Sequence, residues 1–380
     1  MKFTTLFLSL LASALAQNDA AEVLPQPQGR YATDIQTLEV IDYSRPDPYD
    51  PNHGPRKLMV SVFTPTVLAK DCSHWETYPY TPPLTAELLE PLFETYGWPN
   101  STSYINRLRL PTCAGENNDE FPVVLFSHGL TLTRLLSSSQ AQAVAAQGFV
   151  VITIDQPYDA SVIEYPDGTV VKARNWTLAE LDGDVQTRAQ DVSFLVTQLA
   201  NTSSPLHRPY EPKVAMFGHS LGGASSVQAA YDDKRILAAL DLDGSPYGFN
   251  TTVINASTVT FTLPTLTAPF LLFNEPSFVN NSGMPDLYAA FSGWKRHLAL
   301  ENSFHLTFTD LPLLVDTFGL RGSLPDTFEA YSGTIPGLRA RDVVSEFVGA
   351  FMGKWLKGEE SEVLDGPSEE WEEVEFVGVD

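Results

Sequence analysis

The residues best suited to chemistry in this chain surround Ser220. They read Gly218-His219-Ser220-Leu221-Gly222-Gly223, after the apolar run Val214 to Phe217 and before the small residues Ala224 to Ala230. That order spells strand, tight turn and helix, with a serine at the apex and glycines where the backbone passes close to itself. Such a turn presents the Oγ at the C-terminal edge of a parallel sheet. The helix that follows aims free N–H groups and the positive end of its dipole at the point where an oxyanion would form. A glycine-rich turn with an ordinary serine would share these letters. The strand before it and the helix after it favour a nucleophile.

A serine hydroxyl needs a base to take its proton, and the base needs an acid to orient it. On such an elbow the partners follow in the order Ser, Asp/Glu, His. Only His297 and His305 lie beyond Ser220. His297 opens an apolar run and reads as structural. His305 follows that run in Asn302-Ser303-Phe304-His305, where a loop swings it over the serine. Three carboxylates compete for the acid's role. Asp241 and Asp243 share one face of a strand by period two. Asp243 is favoured because it ends the strand, before the turn-forming Gly244-Ser245-Pro246, at the edge where sites gather. Asp241 and Glu275 stay open as alternatives. The oxyanion hole needs two N–H groups, one from Leu221 and one from the loop after the first core strand, where Leu130 stands. His128 reads as a loop-shaping residue, and His53, His74, His207 and His219 as structural.

The elements that must position these residues alternate. Near-continuous apolar runs at 121–127 and 149–154 predict strands buried on both faces. Further strands fall at 214–217, 236–242, 270–273 and 297–300, with helices between them and a last helix at 339–356. This βαβα order predicts one doubly wound, mostly parallel α/β sheet. Runs at 38–42 and 57–64, split by a Pro/Asp/Asn/Gly-rich turn, predict an antiparallel pair at its edge. Residues 66–120 form an insertion. Within it Leu88, Leu89, Leu92, Phe93 and Tyr96 share one helix face, either packed on the body or serving as a lid.

The chain has 380 residues, 43% of them hydrophobic and 18% charged, the balance of a globular protein. Residues 1–16 read as a secretory signal peptide, with Lys2, an apolar stretch and Ala14-Leu15-Ala16. A polar lead follows to residue 36, then one catalytic domain over 37–358, then an acidic tail over 359–380 expected to be disordered. No second apolar run is long enough to cross a bilayer. Secretion predicts a disulfide between Cys72 and Cys113, the only two cysteines. It also agrees with six N-x-S/T sequons, at Asn100, Asn175, Asn201, Asn250, Asn255 and Asn280. The net charge of −24 argues against nucleic acid. No metal-ligand spacing is present, so neither metal nor cofactor is expected. Membrane-surface contact and oligomeric state stay open.

Four segments together carry a resemblance. Phe126-Ser127-His128-Gly129-Leu130, the elbow itself, Leu242-Asp243-Gly244 and Ser303-Phe304-His305-Leu306-Thr307-Phe308-Thr309-Asp310 resemble the successive motifs of the platelet-activating factor acetylhydrolase family, in its plasma, group VII phospholipase A2 branch. The resemblance spans about 55–357. It implies an α/β-hydrolase fold, a Ser220/Asp243/His305 triad, Leu130 and Leu221 as oxyanion donors, and no calcium requirement. The implied substrates are glycerophospholipids with short or oxidised sn-2 acyl chains. The helix at 88–96 holds the place of the family's lipid-docking helix but carries Glu87, Glu90 and Glu94. A general carboxylesterase or a polyester, cutinase-like hydrolase is the alternative of the same chemistry. A catalytically silent binding protein is the alternative of a different class.

Overall fold

The apolar runs form the middle of a nine-stranded sheet. In this computed structural model, residues 20–115, 117, 119–255, 258–280 and 283–379 are described. The expected signal peptide lies outside them. From one edge the strands run Val374–Val379, Lys295–Leu300, Phe270–Asn274, Ile236–Leu242, Val214–His219, Val123–Ser127, Val150–Asp155, Pro55–Leu68 and Tyr31–Pro46. The six from Lys295–Leu300 to Val150–Asp155 pair in parallel. The two long N-terminal strands pair antiparallel at the edge, as their turn signals require.

Period-two alternation divides the core between the two faces of the sheet. Val124, Phe126, Ala215, Phe217, Leu271 and Phe273 pack with Ala141 and Val144 of the helix Ser138–Ala145 and Val343 and Phe347 of Gly337–Met352. Their neighbours Val123, Leu125, Val214, Met216, Phe270 and Leu272 pack with Val192 and Leu195 of Leu181–Ala200 and Val227 of Leu221–Asp232. The result is the α/β-hydrolase arrangement, a mostly parallel sheet with helices on both sides.

The insertion and the polar lead together build a small sheet, in the order Glu22–Val23, Leu108–Thr112, Glu76–Pro79. Cys72 and Cys113 are bridged across it. Its helix, Pro83–Thr95, buries Leu89 and Phe93 in the main core, so its apolar face packs on the body.

Two boundaries differ from expectation. The polar lead already enters the sheet at Tyr31, because Ala32 and Ile35 point inward from a strand whose outer face is polar. The acidic stretch expected as a disordered tail folds back. Val374–Val379 pairs antiparallel with Lys295–Leu300 and closes the sheet edge. Leu364 and Val374 are buried, and Arg339 pairs with Glu373. Charge density hid three anchors, Leu364, Trp371 and Val374, that sit among the carboxylates.

Candidate active site

The strand Val214–His219 stops at Ser220, which stands at φ 55°, ψ −124°. That backbone region disfavours any side chain and costs about 1–3 kcal/mol. It is held by the Ser220 N–H donating to Leu242 O at 2.8 Å and by Ser220 O accepting from Gly223 N at 2.8 Å. A Cβ at Gly218 would collide with the Gly222 carbonyl, and one at Gly222 with the Ser127 carbonyl. The elbow exists because those two positions lack one. The Ser220 hydroxyl caps no helix N–H and stays half-buried at the surface.

His305 opens a short 3-10 turn, His305–Phe308, and its Nδ1 lies 2.5 Å from Asp243 Oδ2. The Asp243 carboxylate is buried, whereas the His305 side chain is 42% exposed. Asp243 Oδ1 accepts the Glu275 backbone N–H at 2.9 Å and Asn274 Nδ2 at 3.4 Å. Asn274 Oδ1 in turn lies 2.9 Å from His297 Nε2. Burial pushes His297 down to about 4, so its ring is neutral at physiological pH and donates that bond. The structure therefore brings Asp243, not Asp241 or Glu275, to His305. Asp241 is buried and accepts the Gly244 N–H at 2.8 Å, and burial raises its pKa well above the usual carboxylate range. The Glu275 carboxyl accepts from Ser277 Oγ instead.

His219, read as structural, has a further part. Its Nε2 meets the His305 carbonyl at 2.8 Å, and the two rings lie 4.6 Å apart. Burial holds His219 neutral, so Nε2 carries the proton and donates. The elbow thus grips the loop that carries His305.

The loop after Val123–Ser127 runs directly beside the serine. A Cβ on Gly129 would stand 3.1 Å from Ser220 Cβ. Among the described residues, neither the Leu130 nor the Leu221 N–H donates to a backbone carbonyl. The loop is clamped from behind by a buried ion cluster. Arg188 Nη1 donates to His128 O at 2.6 Å and to Ser127 Oγ at 3.0 Å. Arg188 Nε donates to Asp159 Oδ2 at 2.6 Å and to Asp184 Oδ2 at 3.0 Å. Asp159 Oδ1 accepts the Thr131 N–H at 3.2 Å, at a residue whose φ is 57°. The loop is therefore held on both sides of Leu130. Burial and the neighbouring Asp159 raise the Asp184 carboxyl well above the usual carboxylate range. Asp310, in the His305 segment, accepts from Ser139 N at 2.7 Å, Gln140 N at 3.1 Å and Tyr80 Oη at 2.8 Å. It ties that segment to the helix Ser138–Ala145 and to the insertion. Sequence reading missed Arg188, Asp159 and Asn274, and named Asp310 only as part of the 303–310 motif, with no role. Arg188 and Asp184 at i, i+4 on an otherwise apolar helix face were the available signal for the cluster.

A serine on this elbow and a His–Asp pair beside it, on a mostly parallel sheet, define an α/β-hydrolase. Residues 101–166 and 169–357 match the family model of platelet-activating factor acetylhydrolase, isoform II, and the chain belongs to that family of esterases. It is 28% identical to a probable 1-alkyl-2-acetylglycerophosphocholine esterase of Arthroderma benhamiae, over 98% of both chains. It is 22% identical to the platelet-activating factor acetylhydrolase of Cavia porcellus, over 63% of this chain and 59% of that one. Among solved structures, a ferulic acid esterase from Streptomyces cinnamoneus superposes with a TM-score of 0.77 at 28% identity, covering 94% of this chain and all of that one.

Proposed function

We propose that the protein is a secreted, calcium-independent serine esterase that cleaves short or oxidised sn-2 acyl esters of glycerophospholipids. The observation that carries the chemistry is the His305–Asp243 hydrogen bond of 2.5 Å beside a serine whose hydroxyl is not used as a helix cap. His305 Nε2 takes the Ser220 proton as Oγ attacks the ester carbonyl. Asp243 keeps the proton on Nδ1 and stabilises the imidazolium. The N–H groups of Leu130 and Leu221 receive the oxyanion. The C–O bond to the glycerol breaks, and the leaving oxygen takes the proton from His305. Water then attacks the acyl-enzyme by the reverse path and releases the carboxylic acid. The signal-peptide reading and the Cys72–Cys113 bridge support secretion. The sequon residues Asn100, Asn175, Asn201, Asn250 and Asn280 are exposed, as glycosylation requires. The Asn255 side chain lies outside the described residues.

The full-length Arthroderma benhamiae relative favours the acetyl phospholipid. The ferulic acid esterase, equal in identity, favours a second reading, an aryl carboxylic ester. Hydrolysis of a 2-acetyl ether phospholipid, 2-palmitoyl phosphatidylcholine and ethyl ferulate, with chelator present, separates them. The first reading expects turnover of the acetyl phospholipid alone; turnover of ethyl ferulate alone moves the substrate class. In either case Ser220→Ala is expected to lose about 10⁴–10⁶ in kcat. Near-wild-type turnover in that variant overturns both.

A further inference from the structure

At the end of the sheet away from Ser220, segment 206–213 leads the chain from the helix Leu181–Ala200 into Val214–His219. It walls a groove of about 680 Å³, inside the ~300–1,000 Å³ range of small-molecule sites. The wall is fixed by the Arg208 N–H donating to Leu199 O at 2.8 Å and by Tyr210 Oη donating to Phe121 O at 2.9 Å. The floor is apolar, formed by Val196, Leu199, Val214 and Leu237, the last 39% exposed. The walls and rim are cationic, carrying Arg208, Lys213 and Arg235 beside His207. Arg235 is already paired with Asp233 at 2.6 Å. The one carboxylate lining the groove is the exposed Glu211.

Arg208 is the anomaly. The four fully buried arginines each have a carboxylate: Arg56 with Asp47 and Asp191, Arg134 with Asp155, Arg188 with Asp159 and Asp184, and Arg341 with Asp342. Arg208 is half-buried and has none among the described residues; the half-buried Arg107 and Arg109 have none either but donate to backbone carbonyls, which the Arg208 side chain does not. Its Nε is buried without a partner, and so is Nδ1 of His207. Burial lowers the Arg208 pKa, with no carboxylate to offset it. A buried guanidinium N–H without a partner is costly unless something accepts from its group.

We propose that this groove is a second ligand site, for a carboxylate on an apolar chain, a fatty acid of medium length. The guanidinium of Arg208 takes the planar carboxylate, and the chain lies on Leu199, Val214 and Leu237. An inorganic anion would leave the apolar floor unused. The six steps from Val214 to Ser220 span about 20 Å at a strand's rise, so the site is separate from the elbow. It does not depend on which ester the protein cleaves.

The test is calorimetric titration of the full chain with octanoate, acetate, 1-octanol and inorganic phosphate, repeated on Arg208→Gln and Leu237→Ser. Octanoate is expected to bind saturably, and acetate, octanol and phosphate not. Arg208→Gln is expected to weaken octanoate about tenfold or more, with a Tm no lower than wild type and unchanged ester hydrolysis. Leu237→Ser, an exposed position that does not threaten folding, is expected to weaken it severalfold. No saturable octanoate binding at millimolar concentration, equal binding of octanol or phosphate, or wild-type affinity in both variants overturns the proposal. If Arg208→Gln loses its fold, Leu237→Ser alone decides.

Discussion

Asp243 is distinguished from its neighbours by what each carboxylate faces. It alone meets His305 Nδ1, and the Glu275 N–H and Asn274 Nδ2 hold its other oxygen in place. An amide at 243 would present the wrong hydrogen-bonding pattern to the imidazole and reverse its tautomer. Asp243→Asn is therefore expected to lose about 10³–10⁴ in kcat, while Glu275→Gln, which keeps its backbone N–H, stays within severalfold of wild type. Steady-state kinetics on a soluble ester check both. Loss of activity in Glu275→Gln alone would move the acid. Asp310 makes a separate prediction at this scale. Its buried carboxyl is raised from 3.8 to about 7, chiefly by desolvation. The folded state therefore keeps a proton that the unfolded chain has released. The group's stabilisation is full below about pH 4 and is lost as pH rises through about 7. His128 and His297, each pushed down to about 4 by burial, titrate in the opposite sense. Comparison with Asp310→Asn isolates the carboxyl. Urea unfolding should show wild type losing stability relative to the variant from pH 4 to 7, by up to about 1.4 kcal/mol per pH unit. A constant difference would place the Asp310 pKa in the ordinary range.

At the scale of elements, the loop 128–131 depends on a helix far away in sequence. The helix Leu181–Ala200 carries Arg188, which reaches the His128 carbonyl, and Asp159 completes the hold at Thr131. A single Asp159 carboxylate accepts from both Arg188 and the Thr131 N–H. An asparagine has one oxygen and serves only one of them. Asp159→Asn leaves Arg188 its other carboxylate partner, Asp184. The loop N–H groups lose their aim. kcat is expected to fall about 10²-fold with KM within about twofold, and a trifluoromethyl ketone should lose affinity in parallel. Unchanged affinity for that tetrahedral mimic, or a fall in kcat matched by a fall in Tm alone, would reduce the cluster to a structural role. The same loop gains its position from the glycines of the elbow, since Gly129 passes against Ser220 Cβ and Gly222 against the Ser127 carbonyl.

For the whole molecule, residues 359–379 belong to the fold. Val374–Val379 completes the sheet beyond Lys295–Leu300, the strand that leads into the His305 loop. Leu364 and Val374 join the main core, and Trp371 lies edge-on to Phe347 and under Arg339. Ending the chain at residue 358 removes the buried Leu364 and Val374 and uncovers the core and the strand edge behind them. It is expected to cost on the order of 3–6 kcal/mol at 1.5–3 kcal/mol per large apolar side chain, read as a lower midpoint in urea. A truncated protein as stable as the full chain would return the segment to the status of an appendage. Among the described residues no helix is long and apolar enough to cross a membrane.

What the sequence determined by itself was local. Ser220 was legible because the elbow's requirements, a strand, small residues and a helix start, all fall within a few positions of it. The buried strands were legible because burial on both faces leaves near-continuous apolar runs. His305 followed from chain order, since only two histidines lie beyond the serine. The tertiary structure decided what depends on distance. Asp243 and His305 are 62 residues apart, His219 and the His305 carbonyl 86, and Arg188 and the His128 carbonyl 60. Period two placed Asp241 and Asp243 on one face alike, and only the paired strands showed which of them reaches the imidazole. The acidic segment misled for the same reason. Its charges are local and plentiful, while its few apolar anchors acquire their value only against a sheet edge built some seventy residues earlier.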